Sequence, residues 1–302
     1  MHNKYAPIVL FTYNRVAHTK KVIESLQKNY EAKYSDLIIY SDGFKNNNDK
    51  FQIKEIRNYL KTINGFNLIQ IINREENYGL AKNIVMGINE TINKYGKVIV
   101  MEDDIIVSNQ YLNFMNSALN FYEKNKDVWH ICGWSYPISK EFLGDTYFSK
   151  VMNCWGWATW EDRWRSFRKD PEIIVKNWTK EKIREFDLDH TGVFWSQIDA
   201  NFKSKIDTWA IFWYATIFEK SGLCLYPVVS YVNNIGHDGT GTNCHLKIKE
   251  VNITLNNKEN IIFDSIAKES RIANSRIKAY YKKERNIINK IINKIKYKLF
   301  YK

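Results

Sequence analysis

The sequence lacks a glycine-rich phosphate loop. Its 302 residues hold 13 glycines and 4 prolines, and neither G-x-G-x-x-G nor G-x-x-x-x-G-K-[ST] occurs. Dinucleotide-binding and P-loop enzymes therefore lose their main support. The four cysteines, Cys132, Cys154, Cys224 and Cys244, are widely spaced, with no C-x-x-C and no paired histidine spacing. That excludes a zinc-finger or disulfide scaffold and suits a reducing compartment. No apolar run approaches the ~18–20 residues needed to cross a bilayer. The opening Met-His-Asn-Lys-Tyr-Ala-Pro has no signal-peptide core. A cytoplasmic protein is expected.

What is present is a large apolar fraction, 44%, with 15% aromatics, enough for a sizeable core. The formal charge is +12, and it is uneven. Residues 276–302 carry ten basic side chains and one acid, Glu284, a local +9 that leaves +3 for residues 1–275. The body is near balance and the basicity belongs to one end.

The first hundred residues alternate in period. Apolar runs at Ile8–Phe11, Leu37–Tyr40, Phe66–Ile72 and Val98–Met101 predict buried strands. Between them, Val22, Ile23 and Leu26, then Ile53, Ile56, Leu60 and Ile63, then Leu80, Ile84, Ile88 and Ile92 recur at helical spacing, with Gly65 and Gly96 placed to end the second and third helices. A further helix is predicted over Tyr111–Lys126. This alternation predicts an α/β fold with a doubly wound parallel sheet. Ligands of such sheets bind beyond the carboxyl ends of the strands. Those ends read Thr12-Tyr13-Asn14-Arg15, Ser41-Asp42-Gly43, Asn73 to Lys82, and Glu102-Asp103-Asp104.

Glu102-Asp103-Asp104 is the most informative tripeptide. Three adjacent acids on a rigid strand end repel one another unless a cation offsets them. Hard oxygen ligands select Mg²⁺ or Mn²⁺, which complete their shell with water and substrate phosphates. With no phosphate-cradling loop, a metal ion is left to carry the charge of a diphosphate. A parallel sheet with such a cluster and neither glycine motif points to a nucleotide-sugar enzyme. Farther on, Trp129 to Trp164 holds six of the ten tryptophans, which suit either core packing or a sugar-stacking platform.

Seven stretches then carry a resemblance. They are Pro-Ile-Val-Leu-Phe-Thr-Tyr-Asn-Arg (7–15), Ser-Asp-Gly (41–43), Asn-Tyr-Gly-Leu-Ala-Lys-Asn (77–83), Val-Met-Glu-Asp-Asp (100–104), Cys-Trp-Gly-Trp-Ala-Thr-Trp (154–160), Ile-Asp-Thr-Trp-Ala-Ile-Phe-Trp-Tyr-Ala (206–215) and Asn-Ile-Gly-His-Asp-Gly-Thr-Gly-Thr (234–242). In this order the sequence resembles bacterial glycosyltransferases of the GT-A fold, family 2-like and similar to the N-acetylglucosaminyltransferase I group. The resemblance implies a Rossmann-like, mostly parallel sheet flanked by helices. It also implies an inverting, metal-dependent hexosyl or N-acetylhexosaminyl transfer from a UDP-sugar to a surface glycan or lipid-linked acceptor, in polysaccharide biosynthesis.

The implied roles follow position by position. Thr12, Asn14 and Arg15 lie against the nucleoside, with Asp42 near the base or ribose. Asn77, Gly79 and Lys82 frame the nucleotide-sugar pocket. Asp104 binds Mn²⁺ or Mg²⁺, Asp103 faces the ribose and Glu102 the donor sugar. Asp207 is the implied catalytic base, with Asp199 and Asp162 as rivals and a helix N-cap as the structural alternative. Relatives often carry a histidine where this chain has Asn243, so either His237 or His245 substitutes, or the metal relies on Asp104, phosphates and water.

The expected organisation is a glycosyltransferase domain over 1–248, with a donor half to about 108 and an acceptor half from 109, then a helical basic extension over 249–302. In that extension Ile287, Ile288, Ile291, Ile292, Ile295 and Leu299 form a stripe flanked by Lys290, Lys294, Lys296 and Lys298. An amphipathic helix with a cationic rim suits an anionic membrane surface, here the inner face of the cell membrane; a terminal helix packed on the domain is the alternative. A nucleotidyltransferase acting on sugar phosphates, or a basic polyanion- or membrane-binding protein without catalysis, are the competing classes. Charge gathered at one end and aromatics elsewhere argue against a nucleic-acid partner.

Overall fold

A computed structural model describes residues 5–236, 238 and 254–283. The first strand, β1 (Ile8–Thr12), is buried along its whole length. The chain continues through α1 (Val16–Gln27), β2 (Asp36–Ser41), α2 (Lys50–Leu60), β3 (Leu68–Asn73), α3 (Gly79–Tyr95) and β4 (Lys97–Glu102). β1 pairs in parallel with both β2 and β4, and β2 with β3. Continuous Ile/Val/Leu runs fit strands covered by helices on both faces. β3 is the edge strand, which is why its residues alternate between exposed and half-buried. α3 ends as expected at Gly96, whose φ of 77° lets its N–H close on Ile92 O. α2 stops at Leu60, earlier than Gly65, which instead sits at φ 85° in the loop that follows.

The second half runs through β5 (Ile105–Val107), α4 (Tyr111–Tyr122), β6 (Val128–Cys132), β7 (Thr146–Ser149), β8 (Trp157–Trp160), α5 (Glu161–Trp164), α6 (Pro171–Asn177), α7 (Lys180–Phe186), α8 (Trp195–Phe202), α9 (Ala210–Glu219), β9 (Leu223–Pro227) and β10 (Val232–Asn234). The eight-stranded sheet has the order β3-β2-β1-β4-β8-β6-β9-β7, with β8 and β7 antiparallel to their neighbours. This is the mostly parallel α/β architecture expected. β5 and β10 form a separate antiparallel ribbon directly after the acid tripeptide.

Trp134, Trp157, Trp160 and Trp164 are buried, so for them the core-packing reading holds. Trp157 lies between His130 and Trp209, at ring-centroid distances of 5.0 and 5.4 Å.

Residues 254–283 return along the far edge of the sheet. Phe263 packs on Phe114, Phe121 and Tyr122, and Ser270 N donates to Phe148 O on β7 at 2.9 Å. A helix over 271–283 buries Ala273 and Ile277, and the Tyr281 and Tyr136 hydroxyls meet at 2.8 Å. The opening of the expected amphipathic tail, 276–283, is therefore docked on the domain. Its stripe from Ile287 to Leu299 lies outside the described residues. Among those described, no helix is long and apolar enough to cross a membrane.

Candidate active site

The carboxyl ends of β1, β2, β3 and β4 form one polar edge, and the side chains there divide into two groups. The first is built on Asp42, 4% exposed. Its Oδ1 accepts from Gly43 N (2.9 Å) and Tyr78 N (2.8 Å). Its Oδ2 accepts from Gly79 N (3.0 Å) and Asn77 Nδ2 (3.2 Å). Both oxygens are thus used to fasten the start of α3 to the end of β2. A Cβ on Gly43 would lie 2.3 Å from Glu76 C, so only glycine permits this approach. The structure brings Asp42, Asn77 and Gly79 together, with both Asp42 oxygens spent on the loop that carries the other two. Lys82 sits exposed beside them, its Nζ 4.1 Å from the Tyr78 ring centre.

Arg57 and Arg74 complete this side. Arg57 Nη2 donates to Arg74 O (2.7 Å) and Asp42 O (3.2 Å), tying the ends of β2 and β3. Arg74 is buried, bonded to Asn83 and Glu90, with its guanidinium 4.8 Å from the Tyr40 ring centre and 5.0 Å from that of Tyr78. Neither arginine was singled out from the sequence. Arg74 lay within the polar set after β3, and Arg57 had no sequence signal beyond a place on the polar face of α2.

The second group is the acid corner. Asp103 is 4% exposed and forms an ion pair with Arg15 Nη2; Tyr13 N donates to it at 3.4 Å. Asp104 shares the same Arg15 nitrogen at 3.0 Å. Glu102 is part-exposed and its side chain makes no hydrogen bond among the described residues. Burial, then Asp104 and Asp103, push its carboxyl up to about 8. Burial also raises the Asp103 carboxyl, against the pull of Arg15. Arg15 is itself held above its ordinary value by the two aspartates, which outweigh its burial. Among the described residues the three acids share one cation, Arg15. Arg15 precedes α1, so the positive end of that helix adds a partial charge, still short of neutralising the corner.

Arg15 thus faces the acids. Thr12 is buried, its Oγ1 without a partner among the described residues, and Asn14 is part-exposed on the same edge. Tyr13 turns away to hydrogen-bond Asp49 at 2.6 Å; burial and that carboxylate raise its phenol to about 12.

The ribbon closes the corner from the other side. Ile235 N donates to Asp104 O at 2.9 Å, and a Cβ on Gly236 would lie 2.3 Å from Asp104 Oδ2. His18 on α1 meets Asp238 at 3.1 Å. His237, Asn243 and His245 lie outside the described residues.

Among the described residues no three His, Cys, Asp or Glu side chains converge as a metal cage. The donor set at the corner is instead one part-exposed carboxylate, Asp104, flanked by further negative charge. That set suits an Mg²⁺-type ion taking its other ligands from phosphates and water.

Asp207 is not joined to the corner by any described contact. It is exposed and ion-paired with Lys169. It is not an N-cap either, since α9 begins at Ala210 with Trp209 in the cap position. Of the rival bases, Asp162 pairs with Lys126 and Arg163, and Asp199 with Lys203.

Against known proteins, the sequence matches the model of the GNT-I family over residues 1–188, more than half of the chain. The chain belongs to the GNT-I family. The match takes in β1 to β4, the acid corner and the Cys154–Trp160 stretch. No curated protein matches the sequence. Two crystal structures from S. aureus are similar in part. TarS matches with 14% identity and a TM-score of 0.32, over 47% of this chain and 24% of TarS. TarS 1-349 matches with 9% identity and a TM-score of 0.45, over 78% of this chain and 61% of that one. This GNT-I family member therefore spans about a quarter and about three fifths of those two chains.

Proposed function

We propose that the protein is an inverting glycosyltransferase that moves a hexosyl or N-acetylhexosaminyl group from a UDP-sugar to a surface glycan or lipid-linked acceptor, and that it needs Mn²⁺ or Mg²⁺. The observation that carries this reading is the crowding of three carboxyls, Glu102, Asp103 and Asp104, around Arg15, the one cation they share among the described residues, with Glu102 disfavoured as an anion by burial and its two neighbours. Crowded carboxylates cost free energy unless a cation offsets them, which supports a further cation at this corner.

Asp104 would hold the metal, which when bound supplies positive charge to the leaving diphosphate. The remaining roles fall to the chain. Arg15 holds Asp103 and Asp104 in place. The Asp42-clamped start of α3 presents Asn77, Gly79 and Lys82 to the nucleotide, with Thr12 and Asn14 on its other side. Glu102 meets the donor sugar. Asp207 takes the proton of the attacking acceptor hydroxyl, supported by its place two residues before Trp209, which stacks on Trp157 beside β4. An ordinary aspartate, with a pKa of ~3.9, suits this only if proton transfer is concerted with attack.

A thermal-shift panel of UDP-, GDP-, CMP- and dTDP-sugars with Mn²⁺ or Mg²⁺ tests the donor. UDP-sugars should stabilise the protein in a metal-dependent way, and Asp104→Ala should remove that dependence. Asp207→Ala should keep donor binding and lose transfer; full turnover removes it as the base. The membrane proposal is tested on the chain ending at residue 283, which should recover less on anionic vesicles than the full chain; equal recovery removes it.

A further inference from the structure

His130 is fully buried on β6 and belongs to none of the groups described at the site. Its two ring nitrogens have partners of opposite kind. Trp213 Nε1 points at Nδ1 at 3.1 Å, and Nε2 points at Asn153 O at 3.0 Å. An indole N–H only donates and a carbonyl only accepts. Nδ1 must therefore be bare and Nε2 must carry the proton, so a single neutral tautomer satisfies both. Burial supports the neutral form, lowering the imidazole to about 3. The ring also stacks on Trp157.

The two partners lie on different structures. Trp213 is on α9, the helix that follows Asp207. Asn153 begins the turn that leads into β8, and its Oδ1 accepts from Trp155 N at 2.9 Å. β8 runs antiparallel to β4 with Val98, Ile99 and Val100 opposite Thr159, Ala158 and Trp157. The pairing ends at Val100 and Trp157, but the turn before it stays close to the end of β4: a Cβ on Gly156 would lie 3.4 Å from Met101 Sδ, and the Cys154 thiol feels Glu102 and Asp104, which add to burial in raising it. The turn has little freedom: Gly156 is at φ 58°, its carbonyl receives Gly133 N at 2.7 Å, and a Cβ there would lie 3.0 Å from Tyr111 Oη. Trp155 is part-exposed, and its ring meets Trp134 edge-on at 5.1 Å.

We propose that His130 is a positioning residue that ties α9 to the 153–155 turn and so sets Trp155 beside Glu102 as a wall of the sugar subsite. The identity of the subsite rests on the donor-sugar reading above; the tie between His130 and the turn does not.

The tie is tested without nucleotide. His130→Phe keeps the ring and its stack but removes both hydrogen bonds, whereas His130→Gln keeps a donor for Asn153 O. Phe should raise alkylation of Cys154 by iodoacetamide roughly tenfold, and shift the Trp155 indole N–H resonance, identified by its loss in Trp155→Phe. Gln should restore both toward wild type. No change in either readout with Phe overturns the tie. In the wild-type protein, ¹⁵N shifts should show His130 protonated at Nε2 alone, and the other tautomer overturns the proposal even if Phe does not fold. The subsite is tested by the ratio of UDP affinity to that of UDP-glucose and UDP-N-acetylglucosamine, each with Mn²⁺. His130→Phe and Trp155→Ala should cut the sugar's contribution roughly tenfold while UDP affinity stays within about twofold. Equal loss for UDP and the UDP-sugars overturns the positioning role. If wild type binds none of the three, the donor reading fails and the alkylation and resonance results alone judge the tie.

Discussion

Asp187 and Asp103 are buried to nearly the same degree, 3% and 4% exposed, yet their surroundings are opposite in kind. Asp187 accepts three backbone N–H groups, from Gly192 (2.7 Å), Phe194 (2.9 Å) and Trp195 (3.0 Å). It staples the loop between α7 and α8. Asp103 has Arg15 and one long bond from Tyr13, and it stands between two more acids. Burial alone does not mark a carboxylate as functional. A shortage of donors around it is the sharper signal, because buried polar groups are normally completed within the fold. By that measure Asp42, with four donors, belongs with Asp187, although it lies on the same edge as the acid corner.

The largest effect expected from this contrast is on Asp187. Asp187→Ala leaves three N–H groups without an acceptor and should lower the unfolding free energy by about 3–5 kcal/mol in urea titrations. UDP affinity should be unchanged where the protein is folded. A loss below about 1 kcal/mol would break the distinction between stapling and functional carboxylates.

Next is His130, another buried group with both partners satisfied. Its folded value, about 3, lies below the ordinary histidine value, so the unfolded chain takes up the proton first. Its neutral form favours folding fully above about pH 6.5, and this contribution is lost as the pH falls toward 3, by up to about 1.4 kcal/mol per unit. Denaturant titrations at pH 7 and pH 5 should differ by about 2 kcal/mol from this group. His130→Gln should remove that part of the difference.

The smallest effect has the opposite sign. Glu102→Gln replaces a carboxyl that burial and two neighbouring acids disfavour as an anion, and should stabilise the metal-free protein at pH 7 by about 1 kcal/mol. A destabilised variant would mean that Glu102 has donors after all and belongs with Asp187.

The strand-and-helix order of residues 8–102 was legible from periodicity, since runs such as Ile8–Phe11 and the Ile84, Ile88, Ile92 spacing allow few alternatives. The acid tripeptide was legible for the same reason: a strand that ends in three acids commits them to the sheet edge. Partners were not legible. Arg15 stands 88 residues before Asp103, and no local pattern links them. Asp42 could be placed at the edge, but the amides of Tyr78 and Gly79 that occupy it depend on how α3 packs. The tryptophans divided between core and surface only once β8 was paired with β4 and β6. Asp207 could be proposed from its neighbours in sequence, whereas its pairing with Lys169 depends on where the loop after α5 lies.

The sequence by itself determined the first four strands, the helices between them and the place where charge would collect, because hydrophobic period and strand ends are local properties of the chain. Tertiary structure decided which buried polar groups are satisfied: Asp42 and Asp187 by backbone amides, His130 by an indole and a carbonyl, and the acid corner by a single arginine. Those partners come from distant segments, and a hydrogen bond reaches only about 3 Å, so only the folded arrangement distinguishes a carboxylate completed by backbone amides from one that shares an arginine with its neighbours.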